Sequence, residues 1–215
     1  GLLPDGDLIP TDQTAETVAP VAETNWTLTE TLRTRAFWVM MLGLASTGML
    51  STGLFFHMVS IFADNGLSDS VAAAAFVPIA ITTALVNFGS GLLADKIGVR
   101  VLLAVGLWAL AVVLWLAQAM QTPQLAIVYG VILGFSNGTT RVVSSIVWAN
   151  YFGRQHLGAI SGFATTIGVV GTALGPMPFG IVRDLMGSYA PALLVSAFIP
   201  LVLGVMALLT PAPQK

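Results

Sequence analysis

Six long apolar stretches divide the chain, and short polar joints separate them. A helix that crosses a hydrocarbon core needs about 20 predominantly apolar residues, and each stretch has about that length or more. The stretches lack the polar–apolar alternation of barrel strands, and only helices or closed barrels satisfy the backbone in lipid. The pattern predicts an all-α membrane protein with transmembrane helices at about 36–62, 70–93, 99–119, 124–149, 158–182 and 189–209.

Polar segments flank this predicted bundle. Residues 1–33 are rich in Pro, Thr and acidic side chains, a composition that cannot bury a core, so we expect a polar cytoplasmic loop or tail there. The six-helix bundle is expected over residues 34–210, and residues 211–215 are expected to form a cytoplasmic tail. Since the chain opens without a basic-then-apolar leader, the first segment is interpreted as a connecting loop of a longer protein.

Composition agrees with a membrane protein. Of the 215 residues, 56% are hydrophobic and 8% are charged, whereas soluble domains average about 25% charged residues. The chain contains no cysteine, so neither disulfides nor thiolate metal sites are expected. We expect no metal or other cofactor, and no nucleic-acid partner.

One decapeptide occurs twice in related form. Residues 91–100 read GLLADKIGVR and residues 180–189 read GIVRDLMGSY, so two glycines and an aspartate recur at an offset of 89 positions. Self-similarity at a fixed interval is typical of duplicated architectures, and this interval spans three predicted helices. Because three is odd, the second triplet must cross the membrane in the opposite sense. The sequence predicts two inverted three-helix repeats.

The basic residues predict the orientation. If the helices alternate in direction, one side of the membrane receives Arg33, Arg35, Lys96, Arg100, Arg154 and Lys215. The other side receives Arg183 together with three aspartates. Since cytoplasmic loops carry the excess of Lys and Arg, both ends of the chain are expected in the cytoplasm, with the bundle in the cell (inner) membrane.

The motif at residues 91–100 resembles a known family. It is similar to the loop signature of the major facilitator superfamily, in the form found between the eighth and ninth helices. Residues 34–38 (TRAFW) resemble the start of that family's seventh helix. Residues 150–158 (NYFGRQHLG) and 171–176 (GTALGP) resemble its monocarboxylate and oxalate/formate-like branch.

This resemblance implies a fold, a function and a partner. The chain would be the C-terminal half of a twelve-helix transporter, and the missing N-terminal six-helix half would complete it. The whole would carry a small solute across the lipid bilayer by alternating access, as a symporter or antiporter. The family uses the loop as a conformational latch, a role that falls here on Gly91, Asp95, Gly98 and Arg100. The alternative is that Lys96 and Arg100 have no latch role and only orient the chain in the membrane.

Arg141 is the most specific functional signal. It lies ten residues before Tyr151, which places it about 15 Å from the cytoplasmic end at 1.5 Å per residue. An arginine at the centre of a helix costs about 2.5–3.5 kcal/mol on insertion scales, so it rarely faces lipid. Its helical face carries mainly small and polar residues, namely Gly130, Gly134, Asn137, Ser144 and Trp148.

That placement leaves two roles for Arg141. It could bind a substrate anion in the bundle interior, or it could snorkel to the cytoplasm or bond the carbonyls of a neighbouring helix. In the branch that the chain resembles, the substrate-binding basic residue is usual on the second or fifth helix of this half. Those helices carry no basic residue inside their predicted spans, so Arg141 departs from the branch.

Three further polar residues are candidates for the substrate site. Asn137 shares the face of Arg141, and Asn87 belongs to a polar stripe on the second predicted helix. His57, near the outer end of the first span, could shuttle protons or bond a substrate carboxylate. For His57 and Asn87 the alternative is bonding to a neighbouring helix.

The absence of acidic residues from the predicted spans indicates the class of solute. No Asp or Glu lies inside any predicted span, and proton relays and cation sites in membranes usually rest on such carboxylates. The predicted function is secondary transport of a small organic anion such as a monocarboxylate. The alternative is a self-sufficient six-helix protein that forms a homodimeric transporter or pore.

We do not expect an enzyme. Residues 134–138 (GFSNG) fit the G-x-S-x-G pattern of hydrolases, but that chemistry needs a strand-to-helix turn, and these residues lie within one predicted helix. Gly130, Gly134 and Gly138 instead indicate close helix packing, as do the pairs Gly158/Gly162 and Gly171/Gly175.

The predicted topology can be tested by labelling. Because the chain has no cysteine, Asn65→Cys and Lys96→Cys each provide a single thiol. We expect an impermeant maleimide to label these two positions from opposite faces of the membrane. Labelling of both from the same face would contradict the inverted repeats.

Overall fold

The computed structural model describes residues 25–94 and 97–214, which form helices and contain no strand. Asp95, one of the predicted latch residues, lies outside the described residues. The helices are α1 Leu28–Leu32, α2 Arg35–Asp64, α3 Asp69–Ala74, α4 Phe76–Ala94, α5 Val99–Ala119, α6 Pro123–Phe152, α7 Leu157–Leu174, α8 Pro176–Met186 and α9 Ala190–Leu209.

Five segments of the described chain are long and apolar enough to cross a membrane. They are Arg35–Asp64, Asp69–Gly89, Val99–Ala119, Leu157–Met186 and Ala190–Leu209. Helix α6 has 30 residues, as many as α2, but Asn137, Arg141 and several hydroxyl side chains make its middle more polar. The predicted all-helical membrane class is confirmed, while α6 has the length of a span without the composition of the other five.

Prolines interrupt two of the predicted spans. Pro78 has no N–H for the carbonyl of Ala74, and the helix is interrupted at Ala75, between α3 and α4. Pro176 and Pro178 leave the carbonyls of Thr172 and Leu174 without their usual donors, and the fifth span is interrupted at Gly175, between α7 and α8. The predicted spans over 70–93 and 158–182 each contain such an interruption, which the apolar pattern alone did not indicate.

Two apolar clusters fill the two ends of the bundle. One combines the first turns of α2, α5 and α7 with the last turns of α6 and α9, through side chains such as Phe37, Ile160 and Phe152. The other combines the end of α2 with the starts of α6 and α9, through Phe62 and Tyr129 among others. The long helices therefore alternate in direction along the chain.

The charged residues divide between the same two ends. Arg35 and Arg100 lie in the first turns of α2 and α5, and Arg154 follows α6. Asp64 ends α2 at the opposite end, where it forms an ion pair with Arg183 of α8. The described part of the bundle thus has one predominantly basic end, as the sequence predicts.

The last residues before α2 pack against this basic end. Thr27 and Glu30 form a capping box that starts α1, since each side chain accepts from the backbone N–H of the other. Trp26 is buried, and its backbone N–H donates to the Phe152 carbonyl at 2.9 Å. The predicted polar segment therefore ends in a short helix that is docked on the bundle.

Glycines bring α6 and α4 into close contact. A Cβ placed on Gly134 would lie 2.5 Å from the Ile79 carbonyl oxygen. One on Gly130 would lie 2.9 Å from the Ala75 oxygen, and one on Gly138 would lie 2.8 Å from Val86 Cβ. The predicted glycine ladder is thus confirmed on α6.

The two other predicted glycine pairs differ in outcome. A Cβ on Gly175 would collide with the Met49 carbonyl oxygen, and one on Gly171 would contact Ala45, so this pair does pack against α2. Around Gly158 and Gly162 no atom of the described residues lies within 4 Å of the Cβ position. The packing role predicted for Gly158 and Gly162 was wrong, because spacing does not decide whether another helix is nearby.

We expect Gly134→Ala to destabilise the bundle. Relief of the clash requires α4 and α6 to move apart, which costs about 1–3 kcal/mol, whereas alanine contributes at most about 1 kcal/mol of helix propensity. Gly162→Ala is the matched control, because its added methyl meets open space. Thermal unfolding in detergent should show a lower midpoint for Gly134→Ala and an unchanged or higher one for Gly162→Ala.

Candidate functional site

An open cavity of about 680 Å³ lies at mid-length of the long helices. Four helices bound it, and its walls combine small, apolar and hydroxyl side chains with two amides and one guanidinium. The lining residues are Leu44, Thr47, Gly48, Ser51, Thr52, Phe55, Ile79, Ala80, Thr83, Ala84, Asn87, Asn137, Thr140, Arg141, Ser144 and Thr172. None of these residues is acidic.

The glycine ladder orients the polar face of α6. Gly130, Gly134 and Gly138 lie against α4, so the adjacent face, with Asn137, Arg141 and Ser144, borders the cavity. The sequence thus places Arg141 in the cavity through the packing of its own helix.

Arg141 is the one cationic side chain among the lining residues. Its side chain is exposed, and no hydrogen bond or ion pair joins it to any residue within 25–94 or 97–214. An arginine carries five N–H donors in a planar fork and no acceptor. The cavity therefore presents a set of unused donors that suits a carboxylate or another planar anion.

Asn137 is fixed by the helix opposite. Ser51 Oγ of α2 donates to Asn137 Oδ1 at 2.9 Å. With its oxygen engaged, the amide directs its two N–H donors elsewhere, and no partner for them occurs in the described part of the chain. Ser51 and Asn137 thus place a further hydrogen-bond donor on the same wall as Arg141.

Asn87 lines the cavity from α4. Its side chain is exposed. The hydroxyl of Thr83, one turn earlier in α4, donates to the Gly134 carbonyl of α6 at 3.1 Å. The stripe predicted on this helix therefore divides: Thr83 bonds a neighbouring helix and Asn87 remains at the cavity. Asn87, Asn137 and Arg141 are brought together.

His57 is not brought to the cavity. Its Nδ1 lies 3.0 Å from the Tyr189 hydroxyl, and its Nε2 lies 3.0 Å from the Pro176 carbonyl oxygen. Both ring nitrogens therefore bond to other parts of the chain, namely the start of α8 and the residue before α9. Bonding to a neighbouring helix is the alternative role that the sequence left open for His57.

The predicted latch residues lie at the basic end of the bundle as far as they are described. Gly98 is the N-cap of α5, and Arg100 donates to the Thr210 carbonyl, just after α9, at 3.4 Å. Gly91 belongs to α4, while Asp95 lies outside the described residues. The latch stays a prediction.

Ser136, the serine of the G-x-S-x-G pattern, is fully buried. Its hydroxyl donates to the Gly106 carbonyl of α5 at 2.8 Å. It therefore presents no nucleophile to water and instead holds α6 to α5.

The sequence reasoning missed the α2 wall of the cavity. Thr47 and Ser51 are four residues apart, as are Gly48 and Thr52, and this spacing is the helical signal that could have found them. A second cavity of about 220 Å³ continues from Gly48, Ser144 and Thr172 towards Trp148 at the basic end. The central cavity therefore leads on between α6 and α7.

Two comparisons with known proteins bear on this site. The family model described as Major Facilitator Superfamily matches residues 40–215, which include the cavity and the predicted latch. A search of curated proteins found no match.

The cavity predicts a pattern of chemical accessibility. Asn87→Cys should react with a water-soluble thiol reagent, because this position borders the polar cavity. Leu85→Cys is the control, since Leu85 is 66% exposed but lies on another face of α4 and should meet lipid. Equal reaction rates at the two positions in vesicles would contradict a water-filled cavity at this place.

Proposed function

The chain belongs to the Major Facilitator Superfamily, a family of multi-pass membrane proteins that move small solutes by secondary transport, and we propose that it carries a small organic anion such as a monocarboxylate by alternating access. Arg141 binds the carboxylate of the solute, and Asn137 and Asn87 bind its other polar groups. The monocarboxylate and oxalate/formate-like branch of the family fits this proposal.

The proposal rests on the exposed guanidinium of Arg141, which has no partner among the described residues. A cation in a cavity bounded by apolar helices needs a partner, and this cavity contains no acid among its described lining residues. A carboxylate would accept two parallel hydrogen bonds from the guanidinium fork, which gives direction as well as charge. In this proposal the solute supplies the anion that pairs with Arg141.

The remaining lining limits the charge of the solute. Apart from Arg141, the cavity offers amides, hydroxyls and apolar side chains, all of them neutral. A second negative charge on the solute would lose its hydration without gaining an opposite charge, and such burial is expensive. These walls fit a monoanion better than a dianion.

One wall of the transport path is present in the described residues. Arg141, Asn87 and Ser144 have exposed side chains, although they line a polar cavity at the middle of the bundle. A six-helix half of the same transporter, N-terminal to this chain, would cover them. A second copy of the chain is the alternative cover, and the mass of the assembly in lipid nanodiscs distinguishes the two.

Helix lengths support a six-span, inverted arrangement. Each proposed triplet opens with a helix of 30 residues, α2 and α6, and closes with one of 21 or 20 residues, α5 and α9. The middle span of each triplet is interrupted near a proline, although at different distances from its start. With the basic end in the cytoplasm of a cell (inner) membrane, α2 and α6 enter from opposite sides.

The test is a pair of substitutions at Arg141 in the assembled transporter. Arg141→Gln removes the charge and should weaken binding of the carboxylate by about 30-fold or more, since loss of a buried charge partner costs about 2 kcal/mol at least. Arg141→Lys keeps the charge but loses the fork, so it should retain part of the affinity.

Arg154→Gln is the matched control. It makes the same change in an exposed arginine just beyond the end of the same helix, outside the cavity. Binding and counterflow of radiolabelled monocarboxylates in vesicles report the effect. Unchanged affinity in Arg141→Gln would refute the anion site.

A further inference from the structure

His57 joins three segments of the chain near the end of the bundle that lies opposite the basic end. The Pro176 carbonyl is only an acceptor, so the His57 Nε2, 3.0 Å away, must carry a hydrogen. In the neutral ring Nδ1 is then an acceptor, and the Tyr189 hydroxyl at 3.0 Å donates to it. The contacts thus select one neutral tautomer, with α2 holding the first residue of α8 and the residue that precedes α9.

Arg183 extends this arrangement along α8. Its guanidinium forms an ion pair with Asp64 at the end of α2 and lies 5.2 Å from the centre of the Tyr189 ring. Tyr189 is 6% exposed, so both the hydroxyl bond and the cation–ring contact hold a fixed side chain. Within residues 25–94 and 97–214, Asp64 and Arg183 are the charged side chains that contact this cluster. We call His57, Asp64, Pro176, Arg183 and Tyr189 the outer clasp.

Helix α7, the other half of the same span, packs against α2 through Gly171 and through apolar side chains such as Ile160, but it has no comparable polar attachment. Its hydroxyls on Ser161, Thr166 and Thr172 donate to carbonyls of α7 itself. Among the described residues no side-chain hydrogen bond or ion pair joins α7 to another helix. One of its flanks borders the second cavity, where α6 and α7 stand apart.

The junction between the two halves has the features of a hinge. Pro176 and Pro178 remove two backbone hydrogen bonds across it, and Gly175 donates to Thr172 in a tighter turn at 3.1 Å. A Cβ on Gly53 of α2 would lie 2.8 Å from the Gly175 oxygen and 2.7 Å from the Phe179 ring. The junction therefore packs tightly against α2. Its backbone hydrogen bonds are incomplete where α7 ends, and the outer clasp holds α8 on the other side of Gly175.

We propose that the fifth span consists of two bodies hinged at Gly175, and that His57 is a positioning residue that fixes the outer body, α8, to α2 and α9 while α7 moves. The movement during transport rests on the proposed function. The clasp, the tautomer and the hinge do not, and they can be measured without a solute.

The first experiment determines the tautomer of His57. The chain has two histidines, so ¹⁵N-histidine labelling of the protein in lipid bilayers gives two sets of ring signals, and His156→Gln removes one of them. At alkaline pH the remaining ring should show a protonated Nε2 and an unprotonated, hydrogen-bonded Nδ1. A protonated Nδ1 with a bare Nε2, or a mixture of both tautomers, would overturn the clasp.

The second experiment measures the two halves separately. Spin labels on cysteines at Ser60 and Leu185 report the distance from α2 to α8, and labels at Leu42 and Thr166 report the distance from α2 to α7. In lipid we expect a narrow distance distribution for the outer pair and a broad one for the inner pair. Equally broad distributions in the unsubstituted background would refute a clamped α8.

Tyr189→Phe removes one oxygen atom from the clasp and should broaden the outer distribution while leaving the inner one unchanged. Tyr151→Phe is the matched control, a phenol oxygen removed at the basic end, and should change neither pair. An unaltered outer distribution in Tyr189→Phe would remove the positioning role of the clasp. If the clasp results hold while Arg141→Gln leaves solute binding intact, the anion proposal fails alone.

Discussion

The close approach of α4 and α6 is the contact on which the cavity depends. Gly130, Gly134 and Gly138 have no side chains to separate the two backbones, and the contact fixes how α6 is rotated about its axis. Because the glycine face lies against α4, the adjacent face with Asn137 and Arg141 borders the cavity. In a bilayer, where lipid is as apolar as leucine, such packing of small residues replaces the hydrophobic effect as the cause of association.

The lipid surroundings also explain why few polar groups identify the candidate site. A hydroxyl inside the bundle must find an acceptor, and Ser46, Thr140 and Thr172 find carbonyls of their own helices, while Ser136 and Thr83 find those of neighbouring ones. Among the described residues, the Thr31 and Thr139 hydroxyls are buried without a partner, and at the cavity Arg141 and the Asn137 amide nitrogen also have unused donors. The unused donors that also border the cavity are the ones that indicate a ligand.

Sequence reasoning predicted the parts that depend on one helix at a time. Apolar length gave the positions of the helices, and the spacing of polar residues placed Arg141, Asn137 and Asn87 on faces that meet in the cavity. It did not predict the partners of His57, because Pro176 and Tyr189 lie more than a hundred residues away in the chain. Equal glycine spacing likewise could not separate Gly134, which touches α4, from Gly162, which meets open space. Pro78 and Pro176 are evident in the sequence, but each lies in a long apolar run, so the helix interruptions beside them were not predicted.

The polar middle of α6 also has a consequence for biosynthesis. A nascent helix with an arginine at its centre partitions poorly from the translocon into lipid when it is alone. The partners that compensate, the Gly106 carbonyl of α5 for Ser136 and the α4 backbone for the glycines, belong to segments that the ribosome has already made. We therefore expect insertion of α6 to depend on α4 and α5, which the ribosome has already made when α6 is synthesised.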